Sequence, residues 1–210
     1  MTDLSEITKA LISGNTEQVC SLVKAEVTKG TNAGDILNIG LIQGMDIVGE
    51  RMQSGDMFIP EVLMSAKTMS AAVEILKPLL SADDMSSAGH IVIGTVKGDL
   101  HDIGKNLVSM MVESSGFEVT DLGVDVAPEA FVKAIQEKNA NIVALSALLT
   151  TTMPMMQQTM NALVESGLRD KVKVIVGGAP VNQDFADKIG ADGYAPDAGS
   201  ASKLAKELWA

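Results

Sequence analysis

Residues 90–104 read HIVIGTVKGDLHDIG, an apolar run of strand length followed at once by a polar loop. The loop places His101 just beyond the predicted strand, with Asp99 two residues before it and Gly104 three residues after it. A neutral imidazole is a good ligand for a transition metal, and its other ring nitrogen then needs a hydrogen-bond acceptor. Asp99 can be that acceptor, and Gly104 would let a bulky ligand approach the backbone. The alternative is a loop histidine with an accidental acidic neighbour.

From His90 onward, apolar runs of strand length alternate with stretches of helical spacing. The predicted strands and the helices that follow them are, in chain order, 90–96 and 103–115, 117–121 and 128–138, 142–145 and 155–166, 172–176 and 182–189, and 193–194 and 201–208. Five strands that are each followed by a helix predict an α/β fold with a doubly wound parallel sheet. We expect a Rossmann- or flavodoxin-like domain with the strand order 2-1-3-4-5.

The residues before this point carry helical spacing only. Apolar stripes predict four helices, with ends at Gly14 and Gly30 and a start at Pro60. Short connections between them favour a small four-helix bundle, which we place at residues 1–88 ahead of an α/β domain at 89–210. The polar stretch Ser81 to Gly89 is the predicted interdomain linker.

One predicted connection in the helical half is unusually apolar. Between the third and fourth helices, Met52, Met57, Phe58 and Ile59 flank a short polar stretch. Loops normally face water, so these side chains either cover something or tuck back under the bundle.

Composition narrows the classes of function. The net charge of −11 argues against nonspecific binding to nucleic acid or to anionic membranes. The single cysteine, Cys20, excludes an internal disulfide and a cysteine-cluster metal site. No stretch reads as a signal peptide or as a membrane span, so we expect a soluble cytoplasmic protein with neither a nucleic-acid nor a membrane partner.

The unusual loops of the α/β half are predicted to meet at one edge of the sheet. Ligands of open α/β sheets bind beyond the carboxyl ends of the strands, where the strand order reverses. The loops at that point contain His101 and the stretch Ser146 to Thr152, and Gly177-Gly178 and residues 194–198 follow the next two strands. This composition predicts a narrow slot with a polar lining. Taken singly, the hydroxyl residues could instead cap a helix and the glycines could form an ordinary turn.

Three of these stretches carry a family resemblance. Residues 99–104 (DLHDIG), residues 146–148 (SAL) and Gly177-Gly178 resemble the signatures of the cobalamin-binding domain of methionine synthase and of the corrinoid proteins of methyltransferase systems. The resemblance covers essentially the whole chain, because residues 44–50 (GMDIVGE) and 57–60 (MFIP) are similar to the helical cap domain that precedes that fold. It implies a stand-alone corrinoid carrier with cobalamin, and hence cobalt, as its cofactor.

The resemblance also implies roles for individual residues. His101 would be the lower axial ligand of cobalt, with Asp99 as its hydrogen-bonded partner. Asn38 stands where methionine synthase has an acidic cofactor contact, and a bulky residue at Gly178 should block the slot for the nucleotide tail. The loop that contains His101 is called the histidine loop below, and it supplies the implied cofactor-binding residues Gly98, Leu100, Asp102 and Gly104. The implied residues along the nucleotide tail are Ser146, Leu148, Thr150, Gly177, Gly178, Tyr194 and Ala198. Those over the upper face of cobalt are Met52 and Ile59.

The implied function is methyl transfer in one-carbon metabolism. In proteins of this kind cob(I)alamin accepts a methyl group through a substrate:corrinoid methyltransferase. The resulting methylcob(III)alamin delivers that group to a second methyltransferase, which passes it to tetrahydrofolate or coenzyme M; a reductive activase is a further expected partner. The chain would be a carrier subunit and not a complete enzyme. The methyl donor stays open among methanol, methylamines, betaines and methoxylated aromatics.

Other functions share part of this pattern. A cobalamin-dependent sensor would use the same fold and ligand, although no basic DNA-binding segment is present. A mutase cobalamin subunit would need a substrate barrel, and a receiver-type signalling domain would need an acidic cluster and a lysine at the strand ends.

Overall fold

The computed structural model describes residues 4–80 and 89–209, which fall into two compact units. Of the described residues, 4–80 and 114–116 belong to the first unit, and 89–113 and 117–209 belong to the second. Apart from Gly89, the predicted linker lies outside the described residues.

The described part of the first unit is built from helices. They are α1 (Ser5–Ile12), α2 (Thr16–Thr28), α3 (Ala33–Asp35), a π-helical segment (Ile36–Ile42), α4 (Gln43–Ser54), α5 (Ile59–Leu76) and a short 3₁₀ turn (Lys77–Leu79). Because α3, the π segment and α4 form one continuous helical stretch, the prediction of four main helices is confirmed. None of the described helices combines the length and the hydropathy that crossing a membrane would need.

Small residues allow the helices of this unit to pack closely. A Cβ atom on Gly44 would lie 2.7 Å from the Cδ2 atom of Leu11, so α4 approaches α1 through a position without a side chain. Next to it, the hydroxyl of Thr8 donates a hydrogen bond to the carbonyl oxygen of Gly40 at 2.9 Å. A π-helical turn disturbs the regular hydrogen-bond ladder, and this side chain supplies a donor there.

The connection between α4 and α5 is shorter than the sequence indicates. Met52 still lies in α4 and Ile59 is the first residue of α5. Met57 is 7% exposed whereas Phe58 is 69% exposed, so only the methionine tucks back under the helices. The Glu61 carboxylate accepts the backbone N–H of Phe58 at 2.8 Å and so caps the start of α5.

The second unit alternates strands and helices. Its elements are β1 (His90–Thr95), α6 (Ile103–Ser114), β2 (Glu118–Asp121), α7 (Pro128–Lys138), β3 (Ile142–Ser146), α8 (Met153–Glu165), a 3₁₀ turn (Arg169–Lys171), β4 (Lys173–Gly177), α9 (Gln183–Ile189), β5 (Gly193–Ala195) and α10 (Ala198–Trp209). All paired strands are parallel and their order is β2-β1-β3-β4-β5. The predicted α/β fold and strand order are therefore confirmed.

Apolar residues cover both faces of the central strands. In β1, Val92 packs into the cluster on one face, which includes Phe131, while Ile91 and Ile93 pack into the cluster on the other face. Continuous apolar strands are typical of a parallel sheet with helices on both sides. Because Thr95 is paired with Ser146, the carboxyl ends of β1 and β3 are adjacent, and the loops that follow them begin side by side.

Candidate functional site

The loop after β1 is fixed by hydrogen bonds to the end of its own strand. The N–H of Asp99 donates to the carbonyl oxygen of Val96 at 3.1 Å, and the buried hydroxyl of Thr95 donates to the carbonyl oxygen of His101 at 2.9 Å. Gly98 lies between them at φ +82°, a left-handed conformation that favours glycine. The backbone of residues 95–101 is thus tied in a compact turn.

The Asp99 carboxylate is the centre of the site and is completely buried. Its Oδ1 atom accepts two hydrogen bonds from His101, one from the ring Nδ1 atom at 2.7 Å and one from the backbone N–H at 3.1 Å. Its Oδ2 atom accepts the Thr152 hydroxyl at 2.7 Å and the backbone N–H groups of Leu148 and Leu149 at 2.8 and 3.3 Å. Burial raises the pKa of this carboxyl group, but the donors from Thr152, His101 and Leu148 outweigh burial and hold the pKa well below its ordinary value.

The ionised carboxylate determines which nitrogen of His101 carries a proton. An ionised carboxylate can only accept hydrogen bonds, so the Nδ1 atom of His101 must be the donor. In the neutral ring the lone pair then lies on Nε2. This side chain is 49% exposed, and its Nε2 atom has no hydrogen-bond partner among residues 4–80 and 89–209. The arrangement leaves one imidazole nitrogen oriented and available for a metal.

Thr152 is a site residue that the sequence did not single out. The sequence suggested that the hydroxyl residues of this loop could be helix caps, and Thr152 does occupy the cap position of α8. Its hydroxyl makes no capping hydrogen bond and instead donates a hydrogen bond to Asp99, which lies 53 residues earlier in the sequence. A local pattern cannot predict such a contact, because capping explains a hydroxyl at this position equally well.

Replacing Thr152 with valine should destabilise the protein. Valine has a similar shape but no hydroxyl, so the buried Oδ2 atom of Asp99 would lose its side-chain donor. We expect the free energy of unfolding to fall by about 1–2 kcal/mol, measured by chemical denaturation. Thr150→Val is the control, because Thr150 is exposed. Losing its hydroxyl should change the free energy of unfolding by less than about 0.5 kcal/mol. Equal stability of the two variants would contradict the prediction.

The other predicted residues of the histidine loop lie at its exposed rim. Leu100, in the histidine loop, is exposed, and so is Leu148 in the neighbouring loop after β3. Asp102 accepts a hydrogen bond from the Asn106 side chain at 3.1 Å and lies just before α6. Gly104, in the first turn of α6, has open space where a side chain would be.

Backbone from other parts of the chain lies close to both glycines after β4. Gly178 has φ +126°, and a Cβ atom on it would lie 1.9 Å from the carbonyl oxygen of Ala147. A Cβ atom on Gly177 would lie 2.9 Å from the carbonyl oxygen of Ala195. Neighbouring backbone therefore approaches both positions closely. A bulky residue at Gly178 would disturb this packing first, so such a variant does not test whether a ligand slot exists.

The remaining predicted positions are distributed over both units. Ser146 ends β3 and is half-buried; Tyr194 lies in β5 and packs against the sheet core; Ala198 is the buried first residue of α10. Ser146 and Tyr194 thus share the carboxyl edge of the sheet with the histidine loop.

The positions predicted over the upper cobalt face belong to the helical unit. They are Met52 in α4 and Ile59 in α5. Asn38 lies in the π segment, where its amide donates to the carbonyl oxygen of Gly34 at 2.9 Å.

Two family models match the chain, and both are described as a B12 binding domain. One matches residues 89–202 and the other matches residues 4–77. Together they span both units.

Individual proteins are also similar over nearly the full length. Dimethylamine corrinoid protein 1 of Methanosarcina acetivorans is 47% identical over 209 residues, with 99% of this chain and 97% of that protein covered. The crystal structure of a cobalamin-binding protein from Desulfitobacterium hafniense DCB-2 has a TM-score of 0.85 and 37% identity, with 98% of both chains covered. A chain of the methanol:cobalamin methyltransferase complex MtaBC from Methanosarcina barkeri has a TM-score of 0.86 and 32% identity, with 98% of this chain and 79% of that chain covered.

Proposed function

Because the chain belongs to the cobalamin-binding corrinoid proteins of methyltransferase systems, we propose that it carries a methyl group between two methyltransferases and that His101 is the lower ligand of its cobalt. The membership confirms the family and the cofactor that the three sequence motifs implied. The observation that supports the role of His101 is its 2.7 Å hydrogen bond to the buried Asp99.

The residues at the sheet edge fit a corrin ring with its cobalt. In the neutral His101 ring, Nε2 can donate its lone pair to a metal while Nδ1 is bound to a carboxylate, the usual support of a metal-binding histidine. Around it, Leu100, Ile103, Leu148 and Leu149 have exposed fractions of 71%, 82%, 42% and 41%. An apolar rim with one oriented polar group is typical of a site for a large organic cofactor.

The chain's own residues have a supporting part in the chemistry. Bound cobalamin would supply a cobalt centre able to accept and release a methyl group. Asp99 holds the proton of His101 at Nδ1 and thereby keeps the lone pair of Nε2 directed away from the carboxylate. Thr152 and the N–H of Leu148 hold the carboxylate in turn. When the histidine ligates, this hydrogen bond makes the imidazole a stronger donor to the metal.

We place the choice of methyl donor in the partner enzyme. The relatives differ in this respect, since one is named for dimethylamine and another belongs to a methanol:cobalamin methyltransferase complex. A carrier that presents the same cofactor to different methyltransferases need not recognise the donor itself. The proposed partners are a substrate:corrinoid methyltransferase, a second methyltransferase that acts on tetrahydrofolate or coenzyme M, and a reductive activase. The proposed contacts of Met52 and Ile59 with the upper face also stay predictions.

Reconstitution tests the proposal directly. The apoprotein, refolded with excess hydroxocobalamin and separated by gel filtration, should retain cobalamin in a one-to-one ratio, seen as visible absorbance that co-elutes with protein. Serum albumin treated in the same way is the control for nonspecific retention. A chain that stays colourless would overturn the proposed function.

Methyl transfer distinguishes a carrier from a cobalamin-dependent sensor. A carrier loaded with reduced cobalamin should become methylated when a purified methyltransferase and its substrate, such as dimethylamine or methanol, are added. A sensor should bind the cofactor yet stay unmethylated with every partner tested. That result would replace the carrier proposal with the sensor alternative.

A further inference from the structure

The connection between β2 and α7 runs alongside the end of β1. The N–H of Leu122 donates to the carbonyl oxygen of Ile93 at 2.8 Å, and the N–H of Thr95 donates to the carbonyl oxygen of Gly123 at 2.9 Å. The N–H of Val126 returns a hydrogen bond to the carbonyl oxygen of Thr95 at 3.0 Å. The connection is thus paired with β1 up to the residue where the histidine loop begins.

Asp125 extends this pairing into the histidine loop. Its Oδ1 atom accepts the N–H of Gly98 at 2.7 Å, and its own N–H donates to the carbonyl oxygen of Asp99 at 3.0 Å. Its φ of +55° is uncommon for a residue with a side chain, although aspartate and asparagine adopt it more readily than most. Such a conformation persists where surrounding contacts hold it. Here the contacts are the two hydrogen bonds to residues 98 and 99.

These bonds matter because the imidazole itself is half exposed. The direction of its Nε2 atom depends on the Asp99 carboxylate and on the backbone of the loop, more than on packing around the ring. Asp125 holds that backbone at the two residues before Leu100, and the hydroxyl of Thr95 holds it at the carbonyl oxygen of His101. We propose that the Asp125 side chain is a positioning residue for the lower cobalt ligand His101, an inference that rests on the proposed function.

Two substitutions separate the side chain of Asp125 from its backbone. Asp125→Gly fits the positive φ and keeps the backbone N–H that donates to Asp99, but it removes the acceptor for Gly98. Asp125→Asn keeps an acceptor oxygen and tolerates the same φ. Asn139→Gly is the matched control, because Asn139 is exposed, has φ +50° and lies at the C-terminus of α7. It makes the same kind of change away from the histidine loop.

The readouts are the affinity for cobalamin and the EPR spectrum of the bound Co(II) form, in protein labelled with ¹⁵N-histidine. A ligating histidine nitrogen changes the splitting of that spectrum when it is labelled. In D125G we expect affinity to fall about tenfold and the histidine-ligated fraction to fall with it, since a hydrogen bond to a charged group is worth about that factor. D125N and N139G should stay within about threefold of the wild-type affinity and keep full histidine ligation.

Each outcome has a defined meaning. Wild-type affinity and ligation in D125G would overturn the positioning role, and so would a loss in N139G or D125N as large as that in D125G. If the wild type itself shows no effect of the ¹⁵N label, the proposed assignment of His101 as the cobalt ligand fails and the positioning role with it. A test without any variant is hydrogen exchange at the Gly98 amide of the wild-type apoprotein. We expect protection there, and exchange at the rate of an open peptide would equally reject the inference.

Discussion

Replacing His101 with alanine is expected to abolish histidine ligation of cobalt and to weaken cobalamin binding by about 100-fold or more. Losing only the hydrogen-bonded partner of a metal-binding histidine lowers metal affinity by about 10- to 100-fold, and losing the ligand should have at least the upper effect. The change removes the nitrogen whose direction Asp99 fixes through the 2.7 Å hydrogen bond. The measurement is EPR of bound Co(II) cobalamin in protein labelled with ¹⁵N-histidine, together with titration by visible absorbance.

The control uses the other histidine of the chain. The sequence contains two histidines, His90 and His101. His90 is 8% exposed, and its Nε2 atom is bonded to the Thr120 hydroxyl at 2.8 Å. His90→Gln should therefore leave the effect of the label on the spectrum intact. A label effect that survives in His101→Ala and disappears in His90→Gln would identify His90 as the ligand and contradict the proposal.

Gly178→Ala should lower the free energy of unfolding by about 4 kcal/mol. A side chain at φ +126° costs about 1–3 kcal/mol in backbone strain. The added Cβ atom would also lie 1.9 Å from the carbonyl oxygen of Ala147, and relieving such overpacking costs about 1–3 kcal/mol more. The measurement is chemical denaturation of the apoprotein, followed by circular dichroism.

Gly190→Ala is the matched control for this substitution. Gly190 also has a positive φ, +75°, but an added Cβ atom would meet nothing within 4 Å. In Gly190→Ala the free energy of unfolding should therefore fall only by the cost of backbone strain, about 1 kcal/mol. If both variants lose the same stability, the close approach of Ala147 is not what requires glycine at position 178.

Much of the fold could be predicted because the signals were local. Apolar runs separated by helical stretches predict the strands, and the connection rules for parallel sheets then leave few orders. Element ends were harder to predict. The last helix was expected from residue 201 but begins at Ala198, because Asp197 accepts the N–H and the hydroxyl of Ser200 and caps it earlier.

The site could be predicted only in part. His101 and Asp99 are two residues apart, so their pairing could be inferred from spacing alone. The contact of Thr152 with Asp99 depends on β1 and β3 being neighbours, and the space for a side chain at Gly178 is taken by the backbone of Ala147. Such contacts join distant parts of the chain, and neither propensity nor periodicity encodes them.

The carboxylate of Asp99 also joins two loops that are far apart in sequence. One of its oxygens is held by residues of the β3–α8 loop, and the other holds the ring of His101. A ligand that stiffens the first loop therefore restricts the second through a single rigid group. Since thermodynamic linkage is reciprocal, a ligand bound at the imidazole and a ligand bound at residues 148–152 must change each other's affinity by the same factor.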